Sequence, residues 1–206
     1  MQRIDIPRKS IYRLSIYQRC LARLRENEVE TVSSEALAKA AGVKSTQLRK
    51  DLTYFGQFGT RGLGYNVEQL SKTISAVLGH NRLQPVILVG LGNLGSALLR
   101  YGGFRKEGFE IVSAFDLNPN QARVGETSVV LQSMDKLASF VKQHQVKMAI
   151  VTVPVTAAQS VTNQLVEAGI QAILNFSPTV LEVPEHVVVN SVDLAVELEN
   201  LSYFIK

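Results

Sequence analysis

A single cysteine, Cys20, occurs among the 206 residues. One thiol excludes an intrachain disulfide and a thiol-rich metal site. It sits beside Leu21 and reads as a small packing residue, with a thiol sensor as the alternative. Long apolar runs are missing as well, since none approaches the roughly 18 residues needed to span a bilayer. Arg3, Arg8 and Lys9 lie near the N-terminus, but no apolar stretch follows them that could act as a signal peptide. A cytoplasmic protein is therefore expected. Histidine is scarce too: only His80, His144 and His186 are present. None of the three follows a strand where a dehydrogenase would need its proton donor, and no Ser/Tyr-xxx-Lys pair stands there. No metal constellation can be assembled. The shortage of catalytic groups points to sensing, and the expectation is a protein that is not an enzyme.

Charge is present but unevenly spread. Residues 1–80 hold 13 Lys/Arg and 7 Asp/Glu, a net of +6, whereas residues 81–206 have a net of −2. A basic first segment on a mildly acidic second one fits a polyanionic partner for the first segment alone. Ordinary solvated surface gives the same charges, so the motifs must decide.

The densest motif begins after an apolar run, Val86–Val89, as Gly90-Leu91-Gly92-Asn93-Leu94-Gly95. A helical pattern follows, then a second apolar strand, 111–115, ending in Asp116. A glycine turn that leaves a strand, opens a helix and is answered by an acid about 20 residues on is a dinucleotide-binding fingerprint. Gly90 permits the tight turn, Gly92 the approach of a pyrophosphate, and Gly95 the close packing of helix on strand. Backbone N–H groups at the helix start would hold the phosphates. Asp116 would accept hydrogen bonds from the adenosine ribose and repel a 2′-phosphate, and residues 117–122 hold no Arg or Lys to offset it. NAD⁺ and NADH are the expected cofactors. A CoA-binding relative of the same fold stays open, because CoA also carries a pyrophosphate.

Upstream, Ile11, Leu14, Tyr17, Leu21 and Leu24 have helical spacing over 9–27. Residues 33–55 then read as a helix-turn-helix. Ser33 or Ser34 caps a short helix, Gly42 makes the turn, and Ser45 or Thr46 caps the second helix. Ala38 allows close approach, and Leu37, Val43, Leu48 and Leu52 fill the angle. Thr46, Gln47, Lys50 and Thr53 point away with Arg49 beside them, a face suited to a major groove. Residues 56–65, with four glycines, two aromatics and one arginine, predict a tight β-hairpin wing with Arg61 at its tip. The candidate DNA contacts are Ser45, Thr46, Gln47, Arg49, Lys50, Tyr54 and Arg61. An oligomerisation hairpin followed by a flexible linker is the competing reading.

Beyond residue 80, strand-like runs recur at 86–89, 110–115, 128–131, 147–153, 171–176 and 186–190, with helical patterns at 94–101, 134–144 and 156–168. This alternation predicts a Rossmann doubly wound parallel sheet. Residues 193–205 form a last amphipathic helix whose stripe of Leu194, Leu198, Leu201 and Ile205 nothing downstream covers. The expected organisation is a winged-helix unit at 1–80, a Rossmann unit at 81–190 and a terminal helix at 191–206. Ligands of such sheets bind beyond the carboxyl ends of strands. Thr152, Val153 and Pro154, and Asn175, Phe176 and Ser177, therefore join the candidate cofactor residues. The prolines there could equally just end strands.

RKDLTYFGQFGTRGLGY (49–65), VGLGNLGSAL (89–98), VTVP (151–154) and ILNFSPTVLEVP (173–184) together resemble the redox-sensing transcriptional repressor Rex family, across essentially the whole chain. The resemblance implies a homodimer whose winged helices read adjacent major grooves of a palindromic operator. It implies repression of fermentative or anaerobic respiratory genes, relieved as NADH rises over NAD⁺, and a C-terminal helix exchanged between subunits. It also singles out Arg19, Tyr101 and Asp193 as switch residues, with Asp193 pairing with Arg19 in one state only. Asp193 could instead merely cap its helix. Some relatives carry an aromatic after this Asp, where this chain has Leu194. A dehydrogenase, a CoA-binding regulator and a constitutive DNA-binding protein remain as rivals.

Overall fold

Between Arg82 and Leu83 the chain divides into two units, residues 1–82 and 83–206. The computed structural model describes residues 6–56, 58–59, 63–79, 82–121, 125 and 127–205.

The first unit starts with α1 (Arg8–Glu26), which buries Ser10, Leu14, Tyr17 and Leu21 along one face. A two-residue strand, β1 (Thr31–Val32), leads to α2 (Ser34–Ala40), where the Ser33 hydroxyl accepts the Ala36 N–H. Gly42, at φ +67°, turns the chain into α3 (Ser45–Thr53). That helix starts one residue earlier than a Ser45 cap requires and two earlier than a Thr46 cap. Lys44 occupies the cap position, and no side chain bonds the free N–H groups there. Leu48 and Leu52 of α3 meet Leu37 and Ala38 of α2 and Leu14 and Tyr17 of α1 in one core.

Two features differ from expectation. The strand after the recognition helix, β2 (Tyr65–Asn66), pairs antiparallel with β1, so its partner lies before the helix-turn-helix. Of the segment 56–65 that predicts a tight hairpin, Gln57, Thr60 and Gly62 lie outside the described residues. Gly59 does lie against Gly64, where a Cβ would sit 2.7 Å from the Gly64 carbonyl oxygen, so the chain folds back there. Arg61 lies outside the described residues. Then α4 (Val67–Leu78) follows, capped by Asn66 and ended by Gly79 at φ +74°. It lies outside the elements predicted from the sequence, although Val67, Leu70, Ile74 and Leu78 have helical spacing. It packs against α1 and closes the core.

The second unit is a six-stranded, all-parallel sheet in the order β5-β4-β3-β6-β7-β8. Its strands are β3 (Gln84–Val89), β4 (Phe109–Asp116), β5 (Val130–Ser133), β6 (Met148–Val151), β7 (Ala172–Asn175) and β8 (Val188–Ser191). The helices are α5 (Asn93–Leu99), the short α6 (Gly103–Lys106), α7 (Leu137–His144), α8 (Val155–Ala168) and α9 (Leu194–Ser202). Along β3 the side chains alternate. Ile87 and Val89 pack with Leu137, Val141 and Leu165 of α7 and α8, while Val86 and Leu88 pack with Leu99 of α5. A strand buried on both faces reads as one continuous apolar run, which is the parallel-sheet signature.

Register, not composition, sets the strand ends. β5 begins two residues later than the apolar run at 128–131, because Ser113 to Asp116 of β4 pair with Val130 to Ser133. β6 ends at Val151, short of the expected 153, because Thr152 turns onto β3 and Pro154 caps α8. Helix α9 has no buried residue, and Leu194, Leu198 and Leu201 are each more than 60% exposed.

Candidate functional site

Strand β3 lies between β4 and β6 at the point where the strand order reverses, the position at which such sheets bind ligands. Gly90, just past β3, has φ +98°, and a Cβ there would sit 2.8 Å from the Thr152 carbonyl oxygen. The Thr152 hydroxyl donates to the carbonyls of Gly90 (2.7 Å) and Val89 (3.1 Å), fastening the ends of β3 and β6. Gly95 faces the Gly90 carbonyl so closely that a Cβ would collide with it. Gly92 differs from both. Its φ is ordinary, and a Cβ would point into open space. Gly90 and Gly95 thus serve the fold, while Gly92 leaves an unfilled approach to the backbone of Asn93 and Leu94, both exposed.

Asp116 ends β4 beside this turn. One carboxylate oxygen accepts the Leu91 N–H at 2.7 Å and the other the Asn118 N–H at 2.9 Å. Such bonds orient a carboxylate and leave acceptor capacity for a diol. Across the switch point, Asn175 is buried, and its amide donates to the Ser177 and Thr179 carbonyls and the Ser191 hydroxyl. Ser177 donates through its hydroxyl to the Val153 carbonyl at 2.6 Å. Asn175 and Ser177 are thereby pins for the 175–179 loop. Val153 and Phe176 are half-buried and Pro154 is exposed. The Tyr101 ring lies over Gly103, where a Cβ would collide with it, and meets Phe104 edge-on at 5.1 Å. These groups fit a dinucleotide: an open glycine, an oriented acid and a rigid loop.

In the first unit, Thr46, Arg49, Lys50 and Thr53 of α3 are exposed, with Ser45 and Tyr54 half-buried at its ends. Arg49 bonds the hydroxyls of Ser34 (2.9 Å) and Ser45 (3.4 Å). Gln47 departs from the outward orientation that helical spacing predicts. It is half-buried, and its amide donates to Asp51 at 3.0 Å.

Asp51 is the residue that sequence reasoning missed. It has no exposure and accepts from Ser10, Arg13, Tyr17 and Gln47. Burial by itself raises the carboxyl pKa, but the bonds from Arg13, Tyr17, Ser10 and Gln47 outweigh it and hold the group down at about 2. The Tyr17 phenol is pushed up, first by burial and then by Asp51. The available signal was Ser10, Arg13 and Tyr17 sharing one face of α1. Burial likewise pushes the Cys20 thiol up, which disfavours a reactive thiolate.

Arg19 is exposed on α1, and Asp193 caps α9 by accepting from the Ala195 and Val196 N–H groups. They belong to different units. The His144 ring stacks on Phe140 at 4.0 Å, with Nδ1 3.0 Å from its carbonyl oxygen, which accounts for it as a helix-end residue. Among the described residues, no three His, Cys, Asp or Glu gather as a metal site, and no helix is long and apolar enough to cross a membrane.

A helix-turn-helix unit with a basic recognition face, joined to a dinucleotide-type sheet, defines a ligand-responsive DNA-binding regulator as the class. Family models agree with each half: "CoA binding domain" matches residues 81–179 and "Putative DNA-binding protein N-terminus" matches residues 5–53. The redox-sensing transcriptional repressor Rex of Syntrophobacter fumaroxidans is 46% identical over 206 residues, covering 98% of this chain and 97% of the relative. The crystal structure of RSP in complex with β-NAD⁺ and operator DNA is similar at TM-score 0.89 and 35% identity, over 98% of this chain and 94% of that one. RSP in complex with β-NADH is similar at TM-score 0.85 and 34% identity, over 98% and 95%. The chain belongs to the Rex family of redox-sensing transcriptional repressors.

Proposed function

We propose that this chain represses transcription as a homodimer on a palindromic operator and leaves it when NADH replaces NAD⁺. The observation that carries this reading is the Asp116–Leu91 bond at the switch point, in a chain similar over nearly its full length to a repressor known with both cofactors. Gly90, Leu91 and Gly95 shape the turn on which Gly92, Asn93 and Leu94 hold the pyrophosphate, and Asp116 holds the adenosine ribose. Thr152, Val153, Pro154, Asn175, Phe176 and Ser177 shape the far end of the pocket. NAD⁺ and NADH differ there by one positive charge, so discrimination between two dimer states must arise from contacts at that end. Arg19, Tyr101 and Asp193 make them, Asp193 holding Arg19 in one state only. On DNA, Ser45, Thr46, Arg49, Lys50, Tyr54 and Arg61 contact the operator. The bare stripe on α9 is covered by a second copy. A repressor acting on chromosomal operators works in the cytoplasm, which is the location this reading assigns to it.

The test is DNA selection from a random pool at fixed salt, with the winner re-tested against each cofactor. A palindrome released by NADH where NAD⁺ leaves it bound supports the repressor. The match to a CoA-binding domain favours one other reading, release by CoA. Against it, the 3′-phosphate of CoA would meet the Asp116 carboxylate. A palindrome indifferent to NADH but released by CoA would establish that alternative.

A further inference from the structure

The recognition helix carries a buried charge that neither the cofactor pocket nor the exposed basic face employs. Asp51 accepts from Arg13 Nε (2.5 Å) and Nη2 (2.7 Å), Ser10 Oγ (2.9 Å), the Tyr17 hydroxyl (2.8 Å) and Gln47 Nε2 (3.0 Å). A carboxylate out of contact with water is tolerated only when paired and saturated with hydrogen bonds. Four of these bonds come from a single face of α1, at positions 10, 13 and 17. One residue of helix rotation is about 100°, so the whole set survives at only one roll of α3 on α1.

The fifth bond has a separate consequence. Reading an adenine edge takes the Gln amide flat against the base, donating and accepting at once. The Gln47 amide is drawn inward onto a buried carboxylate one turn along its own helix.

We propose that Asp51 is a positioning residue for operator reading: it sets the roll of α3 on α1 and holds Gln47 off the bases. Sequence is then read by the exposed Thr46, Arg49, Lys50 and Thr53. This rests on the operator-binding reading above.

The experiment compares the full-length protein with Gln47→Ala, Asp51→Asn and Tyr17→Phe. Each is titrated against the selected operator and a panel of single-base-pair variants, with the active fraction measured by stoichiometric titration. Gln47→Ala leaves the base-preference profile unchanged. Asp51→Asn lowers discrimination between operator and unrelated DNA by about tenfold, spread over several positions together, with NADH affinity retained. Tyr17→Phe, which removes one hydroxyl, shifts it severalfold in the same manner and decides the matter if Asp51→Asn does not fold. A loss of about tenfold at one base pair in Gln47→Ala would make Gln47 a base reader and overturn the proposal. A reduced active fraction with full discrimination in the folded hub variants would overturn it equally, leaving Asp51 a role in stability alone. No sequence preference in the unaltered protein would instead overturn the operator reading, and the proposal with it.

Discussion

The Leu91 backbone N–H donates to the Asp116 carboxylate over 2.7 Å, so the acid that ends β4 is tied to the middle of the glycine turn after β3. A second bond, from the Asn118 N–H, fixes the other oxygen. The acid and the glycine turn proposed to bind phosphate are therefore held in one geometry before a ligand arrives, which lowers the ordering cost of binding.

Asp116→Ala removes both the proposed ribose acceptor and this tie. NADH affinity should fall about 10- to 100-fold, the value of one or two hydrogen bonds to a charged group. NADPH should lose less, because the repulsion of its 2′-phosphate goes as well. Cofactor fluorescence titrations check both, and equal losses for the two cofactors would remove the ribose role from Asp116.

Gly92 and Gly95 should respond to alanine in opposite ways. At Gly95 a Cβ collides with the Gly90 carbonyl, a backbone atom that cannot move aside cheaply, so Gly95→Ala lowers the melting temperature of the second unit. At Gly92 the Cβ meets nothing, so Gly92→Ala keeps the melting temperature while NADH binding drops at least about tenfold. Calorimetry and ligand titration on the same samples separate the two effects.

The Asp51 carboxyl is held at about 2 against an ordinary 3.8. A depressed acid stabilises the fold above its unfolded value and loses that contribution as pH falls through the folded one. About 2 kcal/mol of first-unit stability should thus be lost between pH 4 and pH 2, and be absent at all pH values in Asp51→Asn. Acid titration by circular dichroism, comparing the two proteins, shows it. Parallel acid limbs would place the charge sensitivity elsewhere.

Helix α9 offers Leu198 and Leu201 to solvent at 67% and 63% exposure. If a second copy covers them, Leu198→Asp with Leu201→Asp yields a monomer with weakened operator binding, while the unaltered chain sediments as a dimer. Analytical ultracentrifugation decides, and a variant that remains dimeric would move the interface away from α9.

Asp193 caps α9 through an oxygen that an asparagine would also present. Asp193→Asn therefore preserves the helix, whereas a charge-dependent partnership with Arg19 is lost. The ratio of operator affinities with NAD⁺ and NADH should collapse toward unity in Asp193→Asn and in Arg19→Ala, from a range of about 5- to 150-fold. NADH binding itself should persist. Full release in both variants would detach this pair from the switch.

Much of the local geometry at the switch point was legible in the sequence. Gly90, Gly95 and Asp116 announce themselves because each meets a local demand: a positive φ, a missing Cβ, an acid at a strand end. Helix α4 was legible too, since Asn66, Val67, Leu70, Ile74 and Gly79 carry both caps and period. The partner of β2 was not. Pairing Val32 with Tyr65 joins residues on either side of the whole helix-turn-helix, and two-residue strands carry no periodic signal.

The linear sequence alone determined the longer helices and the sheet strands, the order in which they alternate, and the glycine turn with its acid. Those depend on neighbours within a few residues, through side-chain period, caps and backbone freedom. Only the tertiary structure decided that Asp51 is buried and that Gln47 turns inward. It also decided that Asn175 and Ser177 spend their polar groups on their own loop. A polar side chain faces water by default, and it turns inward only when distant residues supply the bonds that replace water. For Asp51 those residues are Ser10, Arg13 and Tyr17, 41, 38 and 34 positions away in the sequence and brought to it by the packing of α1 on α3.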